Sequence, residues 1–152
     1  MITIIDINIE EIHMQLFRIF SVSENKYITD TNEWMIDIEG HPCSLYSDPE
    51  SDPDITMRED CIVEWNTGYI DHRGHQIYAG DVFFDENDYA MVALWYNNMW
   101  VFQIWGWDDD GHWGEIDILP MDDFEFDDLV VAGDYHSLGD EVYKGAAVEL
   151  HE

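Results

Sequence analysis

From Cys61 onward the chain is a succession of short apolar runs broken by turn residues. "CIVEW" leads into "TGYIDHRGHQIYAGDVFF", where Gly68, Gly74 and Gly80 punctuate the apolar runs. "YAMVALWYNNMWVFQIWGW" predicts two long strands around a tight Asn97-Asn98 turn. "EIDIL" predicts another short strand, and "DDFEFDDLVVAGDY" a last strand or a short acidic helix running into one. In "EIDI" and "DFEFD" the period is two. Ile116, Ile118, Phe124 and Phe126 are then expected inside, with Glu115, Asp117, Asp123, Glu125 and Asp127 outside.

The first sixty residues are less regular. "ITIIDINI" (2–9) reads as a strand or a short apolar lead. "NIEEIHMQLFRIF" carries two patterns. Asn8 with Glu11 forms a capping box ahead of a stripe of Ile9, Ile12, Leu16 and Ile19. Alternatively, "MQLFRIF" is a strand that turns at "SVSENK" and returns as "KYIT". "EWMIDIEG" alternates as a strand does, and "SDPESDPD" (47–54), with two prolines and nothing apolar, reads as a loop. No internal repeat is evident, and residues 140–152 read as a polar, loosely held tail.

Composition adds a tension to this pattern. A chain of 152 residues, 46% apolar and 14% aromatic, has the length and the side chains for one folded domain. Its formal charge is −30, from 35 acids and 5 bases, and such self-repulsion opposes compaction. Residues 105–128 concentrate the conflict, with ten acids, no Lys or Arg, and many Trp, Phe, Ile and Leu. The alternation reconciles the two: aromatics build a core and acids cover it.

The charge also restricts partners. Nucleic acid is gripped by Lys and Arg that displace counterions. Only Arg18, Lys26, Arg58, Arg73 and Lys144 are present, and they are scattered. Direct nucleic-acid binding is therefore not expected, and an anionic membrane surface would repel the chain. No cationic and apolar leader and no run of about 18 apolar residues stands out. The expected location is cytoplasmic. Cys43 and Cys61 do not make a disulfide framework.

Residues 66–84, "NTGYIDHRGHQIYAGDVFF", resemble the central motif of the YopX-like family of phage and prophage proteins, "yTGLkDknGkeIYEGDiv". The shared positions are Thr67, Gly68, Asp71, Gly74, Ile77, Tyr78, Gly80, Asp81 and Val82. "MQLFRIFSVSENKYI" is similar to the family's opening and "LVVAGDYHSLGD" to its close. The likeness favours the strand reading of "MQLFRIF". It divides the chain into a 1–13 N-terminal extension, a 14–139 YopX-like β domain and a 140–152 polar tail. It implies a mainly β fold: a compact, partly open, barrel-like antiparallel sheet with at most one or two short helices. A phage or mobile-element origin is implied as well, but no chemistry. The family motif is Lys-rich; here His72, His75 and Ala79 stand in those places, so the acidity is a specialisation of this member. Asp81, in "YAGD", is expected to bond local backbone at a tight turn.

Candidate chemistry is sparse. His41, Cys43, Cys61, His72 and His75 contain the ligand types of a Cys2His2 zinc site, but their spacing fits no finger or ribbon. "DDDGHWGEID" is a poor calcium loop, because with Gly111 at its sixth position Gly106 stands first and offers no ligand. No nucleophile–base signature or nucleotide-binding fingerprint is present. The expectation is no catalytic residues, no metal and no cofactor. Among Trp95, Trp100, Trp105, Trp107 and Trp113, most are expected to pack and one or two to reach the surface as interface anchors.

What remains is charge. A compact chain of this length is about 38 Å across, and duplex DNA carries about 22 phosphate charges over that distance. Alternate acids on a strand, about 6.7 Å apart, would form regular rows. The expected function is a phage-encoded, DNA-mimicking inhibitor in the host cell cytoplasm. Its partner would be a basic nucleic-acid-binding host protein, such as a Cas effector or restriction complex. The expected contact acids are Asp108, Asp109, Asp110, Asp122, Asp123, Glu125, Asp127 and Asp128. The alternative is a general phage protein-interaction module whose acidity serves solubility or salt tolerance. Whether the chain forms a homo-oligomer is left open by its sequence.

Overall fold

The structure is a computed structural model and describes residues 16–29, 34–46 and 54–144. The apolar lead at 2–9, the capping box at Asn8 and all but the last residue of the proline loop lie outside them. By internal contacts the chain divides into two compact units, Met1–Trp65 and Asn66–Glu152, so a boundary falls inside the 14–139 region. Among the described residues the fold is mainly β, with antiparallel sheets, one of them a curled half-barrel, and one short α-helix.

In the first unit, β1 (Phe17–Ser21) pairs antiparallel with β2 (Lys26–Tyr27), as the hairpin reading of "MQLFRIF…KYIT" expects. β1 also pairs with the first half of β6 (Cys61–Ile70). Across that pairing, Arg18 Nε donates to the buried Glu64 carboxylate at 2.7 Å, and the Tyr27 hydroxyl donates to the same oxygen at 2.9 Å. The Glu64 charge is thus compensated where it is desolvated. A second sheet runs β3–β4–β5 (Trp34–Ile36, Pro42–Tyr46 and Asp54–Met57). Only β3 is anticipated by the alternation; Asp54 belongs to β5 rather than to the preceding loop.

In the second unit, β7 (Gln76–Tyr78) pairs with the second half of β6, and a five-stranded antiparallel sheet has the order β11–β10–β9–β8–β12. Its strands are β8 (Asp81–Phe84), β9 (Ala90–Tyr96), β10 (Met99–Trp107), β11 (Trp113–Pro120) and β12 (Gly133–Asp134). β9 and β10 turn at Asn97 and Asn98, both left-handed with φ of 51° and 64°, as a two-residue hairpin turn requires.

The middle of this sheet is buried on both faces, which explains why β8, β9 and β10 read as nearly unbroken apolar runs. Phe83, Met91, Ala93, Phe102 and Ile104 pack on one face with Ile77 and Met121. Val82, Ala90, Val92, Leu94 and Trp105 pack on the other with Val142. Of the two readings of "DDFEFDDLVVAGDY", the structure is nearer the short acidic helix running into a strand: two single 3-10 turns, Met121–Asp123 and Phe126–Asp128, precede β12. The inside–outside alternation survives without the strand. Phe124 and Phe126 are half-buried against the first face, while Asp123, Glu125 and Asp127 are exposed. The other face takes α1 (Gly139–Lys144), whose Val142 is fully buried. Trp113 Nε1 donates to the Val142 carbonyl at 2.7 Å, so this part of the expected loose tail is held down.

Candidate functional site

The chain has 35 acids, and among the described residues some carboxylates build the fold while others face outward. One local device accounts for several. In "DIEGH" (37–41), "DHRGH" (71–75), "DENDY" (85–89) and "DDDGH" (108–112), the leading Asp accepts through one oxygen from the N–H groups two and four residues on, at 2.8–3.0 Å. The fourth N–H closes on the Asp carbonyl, and the Asp N–H bonds the carbonyl of the fifth residue. The fourth residue is left-handed: Gly40, Gly74 and Gly111 at φ of 81–89°, Asp88 at 61°. The loop therefore recurs four times, a repeat hidden in the sequence because its middle residues vary.

Asp71 carries more than the others. Its second oxygen accepts from the Val131 N–H at 3.0 Å, which ties the loop to the segment after the 3-10 turns. Its side chain is fully buried. Burial pushes its carboxyl upward, but the Val131, His75 and Arg73 N–H groups outweigh this and hold it below 3.8. Asp37 is likewise lowered, chiefly by the His41 N–H, and Asp60 by the Ser23 hydroxyl and Arg58.

The remaining motif residues are also structural. Thr67 Oγ1 donates to the Ile77 carbonyl at 2.7 Å and accepts from Tyr69 N–H at 3.1 Å, beside the left-handed Gly68 where the β6–β7 register shifts. Asp81 accepts from the Tyr78 N–H at 2.8 Å, as expected of "YAGD". The motif is thus a set of turn, bulge and core positions.

The eight expected contact acids fall into two groups. Asp108, Asp109 and Asp110 occupy the β10–β11 loop, all exposed, with Asp108 engaged by that loop's own N–H groups. Asp122, Asp123, Glu125, Asp127 and Asp128 lie in and between the two 3-10 turns, all exposed. The Tyr69 hydroxyl donates to Asp122. The groups sit at opposite ends of β11, whose eight residues span roughly 23 Å. Rows of alternate acids on a strand are not how these eight are arranged.

Glu115 and Asp117, which join the groups, were read only as outward strand positions. β11 is an edge strand, and its register shifts so that Ile104 faces Asp117 while Trp105 faces Glu115. Ile116 is the extra residue of a bulge, and bulges are common on sheet edges. It is 40% exposed instead of buried, because the bulge breaks the period of two. Seven carboxylates, from Asp108 to Asp123, therefore span about 25 Å, three at one end, two in the middle and two at the other, at a mean interval of about 4.2 Å. No Lys or Arg lies between Arg73 and Lys144.

Two shallow grooves lie on the second unit, and the larger of them includes acids of this line. One, of about 380 Å3, has Phe84, Met91, Phe124 and Leu129 as its apolar lining and Asp85, Glu86 and Asp128 as its acids. The other, of about 490 Å3, is lined by Tyr96, Met99, Val101, Ile116, Ile118 and Pro120, with Glu115 and Asp117. Of the five clustered tryptophans, Trp100, Trp105 and Trp113 pack on the sheet while Trp95 and Trp107 are largely exposed.

Among the described residues, one group of metal-ligating side chains converges: Asp108, Asp110 and His112, within 4.8 Å of one another and exposed. The Cys2His2 set does not converge, and Cys43 and Cys61 are buried free thiols. Among the described residues, no helix is long and apolar enough to cross a membrane.

Compared with known families, residues 16–138 match the family described as YopX protein. No curated protein matches the chain.

Proposed function

The chain belongs to the YopX family, and we propose that this member is a phage-encoded, non-enzymatic inhibitor that imitates the phosphate backbone of DNA. It acts in the host cytoplasm and occupies the nucleic-acid-binding surface of a basic host defence protein, a Cas effector or restriction enzyme. The observation that carries this reading is the line of seven exposed carboxylates on β11 and just beyond its two ends. Its mean interval of about 4.2 Å per charge is of the same order as the 3.4 Å per phosphate of one DNA strand. Asp109, Asp110, Glu115 and Asp117 sit on or beside a paired strand, and the 3-10 turn that holds Asp122 and Asp123 is anchored by Met121 and Phe124 against the core. A disordered acidic tail has the charge without this fixed geometry. Basic surfaces shaped for nucleic acid are its electrostatic complement, and the attraction weakens with salt.

The test is displacement of labelled duplex DNA from Cas effectors and restriction enzymes of candidate hosts. Wild-type protein is compared with the quadruple variant Asp109→Lys, Asp110→Lys, Glu115→Lys, Asp123→Lys, which leaves Asp71, Asp108 and Asp122 in place. The wild type should displace DNA from at least one such protein, with a potency that falls as salt rises, and the variant should not. Equal potency of the two would place the contact surface elsewhere.

The runner-up is a general interaction module whose acids serve solubility. It is favoured by exposed Trp95, Tyr96 and Trp107. It predicts partners that salt does not release.

A further inference from the structure

The sheet face that carries Val82, Val92 and Trp105 is covered unevenly. At one end α1 closes it, with Val142 buried and Tyr143 edge-on to Trp105 at 5.0 Å. Towards the β9–β10 hairpin the cover stops. There Tyr96 and Met99, cross-strand partners, are 56% and 43% exposed, and Ile116 projects from its bulge. With Val101, Ile118 and Pro120 they line the groove of about 490 Å3, and Glu115 and Asp117 are its carboxylates, with no Lys, Arg or His in the lining. An apolar floor with acids and no base in its lining selects its occupant. An acidic segment is repelled, and a purely apolar one leaves the carboxylates unpaired. A chain bearing an apolar side chain flanked by Lys or Arg satisfies both floor and rim.

We propose that this groove is a docking site for an extended cationic segment of the partner protein, anchored by one apolar or aromatic side chain on Tyr96, Met99 and Ile116 and paired through its flanking bases with Glu115 and Asp117. The inference rests on the DNA-mimic reading for its partner class, since Glu115 and Asp117 belong to the line of seven carboxylates. It adds what charge alone does not supply. A line of phosphates attracts any basic surface, whereas an apolar anchor beside it discriminates among them. Interface hot spots are commonly such buried aromatic or aliphatic anchors ringed by polar contacts.

The experiment uses the full chain and two synthetic peptides of equal length and charge: one in which a tryptophan and two leucines alternate with arginines, and one in which the apolar positions are serine. The expected result is at least tenfold tighter binding of the apolar-containing peptide. In the Met99→Ser, Ile116→Ser double variant that preference should fall to within about twofold, while the serine-containing peptide binds as before. Both residues are exposed, and a thermal melt matching the wild type confirms that the variant is folded. In Glu115→Gln, Asp117→Asn both peptides should weaken. Equal binding of the two peptides to wild-type protein, or a preference that survives the double variant, would overturn the proposal. So would concentration-dependent self-association lost in the double variant, which would make the groove a contact between copies. A tenfold gain in peptide affinity on deleting residues 145–152 would overturn it too, by assigning the groove to this chain's own end. Failure here, with DNA displacement intact, leaves the mimic reading standing. Failure of displacement with the peptide preference intact leaves a peptide-binding groove without mimicry.

Discussion

Asp71→Asn isolates what the shared family motif contributes. The Asp71 carboxylate accepts three backbone N–H groups: Arg73 at 2.9 Å and His75 at 2.8 Å on one oxygen, Val131 at 3.0 Å on the other. Hydrogen bonds to a charged group contribute about 1.5–3 kcal/mol each, and a buried donor left unpaired costs about 1–3 kcal/mol. Arg73 and His75 are exposed, so water and the remaining amide oxygen relieve their N–H groups in the variant. The Val131 N–H would face an NH2 group. The expected loss is therefore about 2–4 kcal/mol, most of it at Val131. Urea unfolding followed by tryptophan fluorescence gives the difference, with an unchanged m-value as the check on a two-state reading. The pH dependence has a definite sign. The folded pKa of Asp71 lies below 3.8, so its stabilisation is complete above the unfolded value and is lost as pH falls through the folded one. Protonating the many other acids relieves repulsion and acts oppositely on both proteins, so the gap between wild type and variant is the quantity to follow. It should be full at pH 7 and shrink below about pH 4. A variant as stable as wild type at pH 7, or a gap that persists unchanged to pH 2, would refute the reasoning.

Phe126 stacks on Tyr69 at 4.8 Å and Phe124 meets Phe102 edge-on at 4.9 Å, yet both are only half-buried. Each cut to Ala should cost about 1.5–3 kcal/mol in the same denaturation assay, below the range for a fully buried ring. A Cβ at Gly106 would stand 2.9 Å from the Tyr89 ring, so Gly106→Ala should lower stability by about 1–3 kcal/mol. Cys43 and Cys61 are buried, and burial pushes the Cys61 thiol up. Native protein should resist a thiol reagent, and unfolded protein should titrate two thiols.

The most legible parts of the fold were those in which a short sequence demands a particular backbone. Asn97-Asn98 between two apolar runs admits little but a tight hairpin turn, and the "TG…D…G…IY.GD" motif proved to be bulge, loop and turn positions in order. Other parts needed tertiary information. β4 and β5 are short, and the alternation in "CSL" and "DITM" is too brief to mark a strand beside the prolines, so pairing makes them strands. α1 has six residues and one buried anchor, Val142, too little for a helical stripe, and packing on the sheet holds it. "DFEFD" has a strand's period, but two 3-10 turns bring the same phenylalanines inward. For the candidate site, the sequence counts carboxylates but cannot tell which ones local N–H groups engage. Asp71 and Asp108 look alike there, and only the fold buries one and exposes the other. The bulge at Ile116, which opens the groove beside β11, has no signature in "GEIDILP".

Capture from host-cell lysate tests the central claim most directly. Immobilised protein is incubated with nuclease-treated lysate at low salt, then washed in turn with duplex DNA, an equal concentration of an uncharged polymer, and high salt. A DNA mimic should retain a nucleic-acid-binding defence protein that duplex DNA and high salt release and the uncharged polymer does not. Retention of no such protein, or of one that duplex DNA fails to displace, would contradict it.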